Sequence, residues 1–124
     1  MARILVIDDD RMVRETLTTI LAAAGHQVAV ANEGQKGLKL FAEFQPQFVI
    51  TDILMPEKEG VETIQDLRRL APDLPIIAIS GGGRIGNSSF LRVAERFGAN
   101  RTFAKPFEPG EIVSAVNELV AKAA

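Results

Sequence analysis

The sequence predicts an α/β protein in which helices cover both faces of a doubly wound parallel β-sheet. Five short apolar runs alternate with longer segments whose apolar residues recur at helical spacing, and the connections between them are short. The length of 124 residues and the apolar content of 47% suit one compact domain with a proper core. Ligands of such sheets bind beyond the carboxyl ends of the strands.

The strands are predicted at the short apolar runs, and a run without interruption is typical of a parallel strand buried on both faces. The clearest of these runs is the first, Ile-Leu-Val-Ile, which directly follows Arg3. In order, the five predicted strands are Ile4–Ile7, Gln27–Ala31, Phe48–Thr51, Ile76–Ile79 and Arg101–Ala104.

The helices are predicted where apolar residues form one stripe along a helix. In order, the five stripes cover Met12–Ala24, Leu38–Phe44, Val61–Ala71, Phe90–Phe97 and Ile112–Val120. Glycine or proline ends each of the first four, at Gly25, Pro46, Pro72 and Gly98. Asp10 stands at the start of the first helix and is predicted to be its cap or an acid of its first turn.

Composition excludes several classes of function. The 14 basic and 16 acidic residues nearly balance, so no general basic field for nucleic acid or a membrane surface is expected. The chain has no cysteine, which excludes disulfides and thiolate chemistry and is compatible with a reducing cytoplasm. No segment has the length or composition of a signal peptide or a membrane span. We therefore expect a soluble cytoplasmic protein that binds neither nucleic acid nor membrane.

Polar residues stand at the carboxyl ends of four predicted strands. Asp8 and Asp9 follow the first strand, Asp52 ends the third, Ser80 follows the fourth and Lys105 follows the fifth. Carboxylates held close together repel one another unless a cation neutralises them, and an all-oxygen ligand set favours Mg²⁺. Because Mg²⁺ commonly completes its coordination with phosphate oxygens, the pattern indicates phosphoryl chemistry. Asp52 is the candidate nucleophile, Lys105 can neutralise phosphoryl charge, and Ser80 can donate a hydrogen bond.

These motifs resemble those of the receiver domain of response regulators in two-component signalling. The resemblance covers essentially the whole chain and rests on Ile4–Asp9, on Asp52–Pro56 with Gly60, on Ser80 and on Lys105–Phe107, in that order. It implies a flavodoxin-like (βα)5 fold with strand order 2-1-3-4-5. It also leads us to expect a single receiver domain over residues 1–124, with no output domain in this sequence.

The resemblance also implies a role for each site residue toward the metal. Asp9 and Asp52 would ligate Mg²⁺ directly, together with the main-chain carbonyl of Leu54. Asp8 would act mainly through a bound water.

Asp52 would accept a phosphoryl group from a phosphohistidine on a sensor histidine kinase or a histidine phosphotransfer protein. Lys105 would pair with the phosphoryl oxygens, its bond to Pro106 being cis, and the Ser80 hydroxyl would turn toward them. The acyl phosphate would hydrolyse slowly at the same site. The output would be an altered surface for an unknown downstream protein, or onward transfer of the phosphoryl group.

Two features depart from the family pattern. Thr102 stands where an aromatic residue is usual, and Phe103 is interpreted as a core residue of the fifth strand. The segment Ser80–Ser89 contains a glycine triplet and is predicted to be a mobile loop that changes with phosphorylation.

Four other functions have sequence requirements that can be set beside those of a receiver. A nucleotide-binding loop is disfavoured because Asn87 stands where its lysine should be. A phosphohydrolase of the haloacid dehalogenase type would have a second aspartate at the position of Leu54. A flavin binder would not have acids after the first strand. A degenerate receiver that only binds partners stays open because of Thr102. His26 is interpreted as a surface or partly buried residue outside the site.

Overall fold

A computed structural model describes residues 2–53, 60–80, 95–96, 98–104 and 107–123 of the chain. The strands are β1 (Arg3–Ile7), β2 (Gln27–Ala31), β3 (Phe48–Asp52), β4 (Ile76–Ser80) and β5 (Arg101–Ala104). The helices whose bounds fall in this part of the chain are α1 (Arg11–Ala23), α2 (Gly34–Phe44), α3 (Gly60–Leu70) and α4 (Pro109–Ala123). The helix predicted over Phe90–Phe97 lies outside the described residues, apart from Glu95 and Arg96, which are helical.

The five strands form one parallel sheet in the order β2-β1-β3-β4-β5, which confirms the predicted fold class and strand order. The register pairs Ile7 of β1 with Thr51 of β3, and Asp52 of β3 with Ile79 of β4. Ser80 is the last residue of β4, so the strand runs one residue beyond Ile79, the end that the sequence predicts. The carboxyl ends of β1, β3 and β4 therefore lie side by side.

The helices divide between the two faces of the sheet, and each face has its own core. On one face, α1 and α4 pack on alternate residues of the central strands. The buried aliphatic and aromatic residues of that core include Ile4, Val6, Leu17, Leu21, Phe48, Ile50, Ile77, Ile79, Ile112 and Val116. On the other face, α2 and α3 pack on the remaining strand residues, among them Leu5, Ile7, Val49, Ile64, Leu67 and Ile76. Central strands buried on both faces explain the uninterrupted aliphatic runs of the sequence.

Arg68, near the end of α3, holds together the amino end of the sheet beside β4 and β5. Its guanidinium donates to the carbonyl oxygens of Pro72 at 2.7 Å, Leu74 at 2.8 Å and Gly98 at 2.5 Å. Burial lowers the pKa of the Arg68 guanidinium, and the negative charge of nearby Asp73 partly opposes this shift. An arginine side chain nevertheless stays charged at neutral pH. The side chain thus joins α3 to the segments that lead into β4 and β5.

His26 lies at the same amino end of the sheet, just before β2, and is 8% exposed. Its Nδ1 accepts a hydrogen bond from the main-chain N–H of Ala2 at 3.0 Å, and its Nε2 lies 3.1 Å from Oδ1 of Asn117. His26 thus lies at the end of the sheet opposite the acids, and its ring is buried, whereas the sequence predicts a surface or partly buried residue. Within the described ranges, no helix has the length and hydrophobicity that a membrane span requires.

Candidate metal centre

Asp8 continues the parallel pairing one residue beyond β1 and is completely buried. Its main-chain N–H donates to the carbonyl oxygen of Ala31 in β2 at 3.1 Å, which fixes the residue against the sheet. Its Oδ1 accepts a hydrogen bond from the main-chain N–H of Asp10 at 2.8 Å. The side chain is therefore held at the carboxyl end of β1.

Asp10 caps α1, which is one of the two roles that the sequence predicts for it. Its backbone is extended, and its Oδ1 accepts a hydrogen bond from the main-chain N–H of Met12 at 2.9 Å. This contact satisfies one of the free N–H groups at the start of the helix. Asp10 thus has a structural role that distinguishes it from Asp8 and Asp9.

Asp52 is the last residue of β3 and is 2% exposed. Because Ile7 pairs with Thr51, Asp8 and Asp52 occupy the next positions on neighbouring strands. One carboxylate oxygen from each of Asp8, Asp9 and Asp52 lies within 4.8 Å of the other two. The structure therefore brings together the three acids that the sequence predicts as metal ligands.

The chemistry of this cluster suits a hard divalent cation. Asp8 and Asp52 are buried, Asp9 is exposed, and the three offer only oxygen atoms. Carboxylates at this separation repel one another, and a cation between them would offset that repulsion. The cluster could bind a metal ion, and oxygen ligands of this kind favour Mg²⁺ over softer metals.

Ser80 offers a buried hydroxyl beside the acids. It ends β4, the strand next to β3, and stands one residue beyond Ile79, the register partner of Asp52. Among the described residues, its buried Oγ has no hydrogen-bond partner. A buried hydroxyl that makes no hydrogen bond is costly, and this one could donate to a group bound at this edge of the sheet.

The register of β5 confirms the interpretation of Phe103. Phe103 pairs with Ile79 and packs against the core between the sheet and the pair α1 and α4. Thr102 pairs with Ala78 and points to the opposite face, because successive strand residues alternate. Phe103 therefore does not replace the aromatic side chain that is usual at position 102.

Several predicted site features lie outside the described residues. They are Leu54, Lys105 with its bond to Pro106, and the glycine-rich segment after Ser80. One contact that sequence reasoning missed is that of Arg14, whose Nη1 donates to the main-chain carbonyl of Asp8 at 2.9 Å. Nothing in the residue type signals this contact, because it depends on how α1 starts relative to β1.

Comparison with known proteins identifies the family. A family model described as the response regulator receiver domain matches residues 4–117. The chain belongs to this family. Receiver domains are signalling domains of two-component systems, and those of response regulators interact with histidine kinases.

The relatives of this receiver domain differ in length. The chemotaxis protein CheY of Thermotoga maritima is 32% identical over 118 residues, which cover 94% of this chain and 96% of that protein. The response regulator MprA of Mycolicibacterium vanbaalenii is 36% identical over 119 residues, which cover 95% of this chain but 50% of that protein. The chain thus spans about half the length of MprA.

Solved structures agree on the fold. The crystal structure of a CheY-like receiver domain protein from Methanospirillum hungatei is 26% identical, with a TM-score of 0.87. The match covers 98% of this chain and 95% of that one. The family and fold implied by the sequence motifs are confirmed.

Proposed function

We propose that this receiver domain accepts a phosphoryl group on Asp52, with Mg²⁺ held by Asp8, Asp9 and Asp52. The observation that carries the proposal is the cluster of their carboxylate oxygens, within 4.8 Å of one another at one edge of the sheet. Mg²⁺ prefers oxygen ligands and usually takes only a few of them from the protein, the rest being water or phosphate oxygens, and this cluster of carboxylates fits that preference. The main-chain carbonyl of Leu54 is proposed as a further ligand and Asp8 as a ligand through water.

The proposed donor is a phosphohistidine of a sensor histidine kinase or a histidine phosphotransfer protein. A carboxylate oxygen of Asp52 attacks phosphorus while the P–N bond breaks, and the imidazole nitrogen keeps that electron pair. The product is an acyl phosphate on Asp52. Bound Mg²⁺ would neutralise charge on the transferred group, which is the main requirement of phosphoryl transfer.

Ser80 and Lys105 are proposed to bind the phosphoryl oxygens once the group is attached. The buried Oγ of Ser80, which lacks a partner in the described part of the chain, supports its role as a hydrogen-bond donor. Lys105 follows β5, the strand beside β4, and its ammonium would pair with a second oxygen. A charge-assisted contact of this kind is stronger than a neutral hydrogen bond.

The modified state would be transient and would be read by another protein. Attack of water on phosphorus would slowly release phosphate and restore the Asp52 carboxylate. While the group is attached, movement of Ser80 would alter the surface near β4 and β5 that an unidentified downstream partner binds, or the group would be passed on. We also propose a cytoplasmic location, with which the absence of cysteine agrees.

The test is intact-mass spectrometry after incubation with acetyl phosphate and Mg²⁺. The wild-type chain is expected to gain one phosphoryl group, and chelation of Mg²⁺ should prevent the gain. Asp52→Asn should abolish it, because an amide oxygen is a far weaker nucleophile than a carboxylate. Asp10→Asn is the matched control, since it removes an acid from the same edge but keeps the helix cap, and it should still be modified. An adduct that survives Asp52→Asn, or a wild-type chain that stays unmodified, would contradict the proposal.

A further inference from the structure

Asp9 lies between two peptide groups whose orientations are fixed by hydrogen bonds. The carbonyl of the peptide before it belongs to Asp8 and accepts a hydrogen bond from Nη1 of Arg14 at 2.9 Å. The N–H of the peptide after it belongs to Asp10 and donates to Oδ1 of Asp8 at 2.8 Å. Because both neighbouring peptide planes are held, the direction in which the Asp9 side chain leaves the backbone is held as well.

The Asp9 carboxylate itself is exposed, and no hydrogen bond or ion pair to it is recorded among the described residues. Asp8 and Asp52, in contrast, are buried in their places by the surrounding fold. The presence of an Asp9 oxygen within 4.8 Å of the other two therefore depends on its backbone. Of the two contacts that fix this backbone, one is made by a side chain outside the cluster, that of Arg14.

We propose that Arg14 is a positioning residue of the metal centre: its hydrogen bond to the Asp8 carbonyl fixes the peptide that presents Asp9 to the cation. The inference rests on the proposed function, because it concerns the same Mg²⁺ site. Arg14 is suited to the role because its backbone N–H donates to the Asp10 carbonyl in the first turn of α1. The side chain that reaches back to Asp8 thus starts from a fixed point of the helix.

The proposal is testable because the geometry and the charge of Arg14 predict opposite changes in Mg²⁺ affinity when the guanidinium is removed. A guanidinium beside the acids repels a cation, so removal of its charge alone would strengthen Mg²⁺ binding. If Arg14 positions Asp9, removal of its donors instead weakens binding, because a ligand loses its orientation. Loss of an outer contact of this kind typically lowers metal affinity by about 10- to 100-fold.

The experiment compares Arg14→Met with Arg11→Met by calorimetric titration with MgCl₂. Methionine keeps an unbranched side chain on the helix and removes both charge and donors. The Arg11→Met substitution removes the same charge from the same turn of α1, but the Arg11 side chain is 82% exposed and pairs with Glu15 on the surface. Arg14→Met is expected to bind Mg²⁺ about tenfold more weakly than wild type, and Arg11→Met as tightly or slightly more tightly.

Amide NMR of the same variants supplies a readout that does not depend on the metal. Without Mg²⁺, Arg14→Met should shift the amide resonances of Asp9 and Asp10, while Arg11→Met should leave that of Asp9 in place. Circular dichroism checks folding, and Arg14→Lys, which keeps the charge and one donor group, should lose less affinity than Arg14→Met. If Arg14→Met does not fold, Arg14→Lys decides the question by its own loss of affinity.

The outcomes separate this inference from the proposed function. The role of Arg14 is overturned if the Arg14 variants bind Mg²⁺ as tightly as wild type or more tightly. It is also overturned if Arg11→Met loses as much Mg²⁺ affinity as Arg14→Met. Either result leaves the phosphoacceptor proposal intact. A wild-type chain that binds no Mg²⁺ overturns both. Retained modification of Asp52 by acetyl phosphate in a weakly binding Arg14→Met, at high Mg²⁺, would agree with a positioning role.

Discussion

Replacement of Asp9 by asparagine should stabilise the domain in the absence of divalent cations and lose that advantage when Mg²⁺ is present. Asp9 is exposed, so the substitution removes charge without opening a cavity in the core. Its carboxylate oxygen lies within 4.8 Å of those of Asp8 and Asp52, so one substitution relieves two repulsive pairs.

The size of the effect follows from Coulomb's law. At 4.8 Å, two unit charges repel by about 0.9 kcal/mol in water and by about 3.5 kcal/mol at an effective dielectric constant of about 20. Because Asp9 is exposed, the lower value applies more closely, and two pairs give a gain of about 1–2 kcal/mol in the free energy of unfolding. Because 4.8 Å is the upper limit of the separation, the repulsion calculated for each pair is a lower limit.

Mg²⁺ should remove this gain. A ligand that binds only the folded state stabilises it by about 2.7 kcal/mol at a concentration 100-fold above its dissociation constant. Wild type should receive this stabilisation in full, whereas Asp9→Asn, which lacks one ligand, should receive less. The difference in free energy of unfolding between Asp9→Asn and wild type should therefore shrink or change sign when the metal is added.

The assay is urea unfolding followed by far-UV circular dichroism at low ionic strength, with a chelator and then with millimolar MgCl₂. Low salt is required because screening weakens exposed charges. Asp10→Asn serves as the control, since it keeps the cap of α1 and should change stability little in either condition. The electrostatic reasoning would be refuted if Asp9→Asn were less stable than wild type without metal. It would also be refuted if Mg²⁺ stabilised Asp9→Asn as much as it stabilises wild type.

Two further predictions concern parts of the fold outside the cluster. Arg68→Met should lower the free energy of unfolding by about 2–4 kcal/mol, because it removes charged donors from several carbonyls, whereas Arg69→Met on the exposed side of α3 should cost less than about 1 kcal/mol. Urea midpoints that are equal for the two variants would show that the Arg68 hydrogen bonds contribute little. Thr63→Val should raise stability by about 1 kcal/mol, because the buried Oγ1 of Thr63 has no hydrogen-bond partner in the described part of the chain. Thr19→Val, at an exposed position of α1, is its control, and a loss of stability in Thr63→Val alone would show that the Thr63 hydroxyl is satisfied.

The sheet and the place of the acids could be predicted from the sequence because both follow from local patterns. An aliphatic run such as Ile4–Ile7 is short, uninterrupted and followed by acids, which identifies a buried parallel strand and its carboxyl end together. The strand order, which brings Asp8 next to Asp52, came from the family resemblance rather than from any spacing in the chain. The gathering of the acids at one edge thus follows from the parallel fold, and the adjacency of Asp8 and Asp52 follows from the strand order that the family implies.

The contacts that support the site could not be predicted in this way. The hydrogen bond from Arg14 to the Asp8 carbonyl depends on the angle between α1 and β1, and an arginine in the first turn of a helix is ordinarily a solvent-exposed residue. Of the three carbonyls bound by Arg68, those of Pro72 and Leu74 follow α3 directly, but that of Gly98 lies 30 residues away in the sequence. Every residue has a main-chain carbonyl, so the sequence does not mark the ones that accept a hydrogen bond. An arginine that binds such carbonyls therefore cannot be distinguished in the sequence from a surface arginine.

The two ends of the strands have opposite physical characters, and this division suits a signalling domain. At the amino end, Arg68 and His26 bind main-chain and side-chain groups of neighbouring elements and hold them together. At the carboxyl end, like charges gather around Asp52 and the Ser80 hydroxyl is buried, an arrangement that costs stability until ligands bind. Because the amino end holds the sheet, changes of charge at the carboxyl end can alter the surface there without unfolding the domain. Substitutions at Arg68 should therefore change stability more than Mg²⁺ affinity, and substitutions at Asp9 or Arg14 should change Mg²⁺ affinity more than the cohesion of the fold.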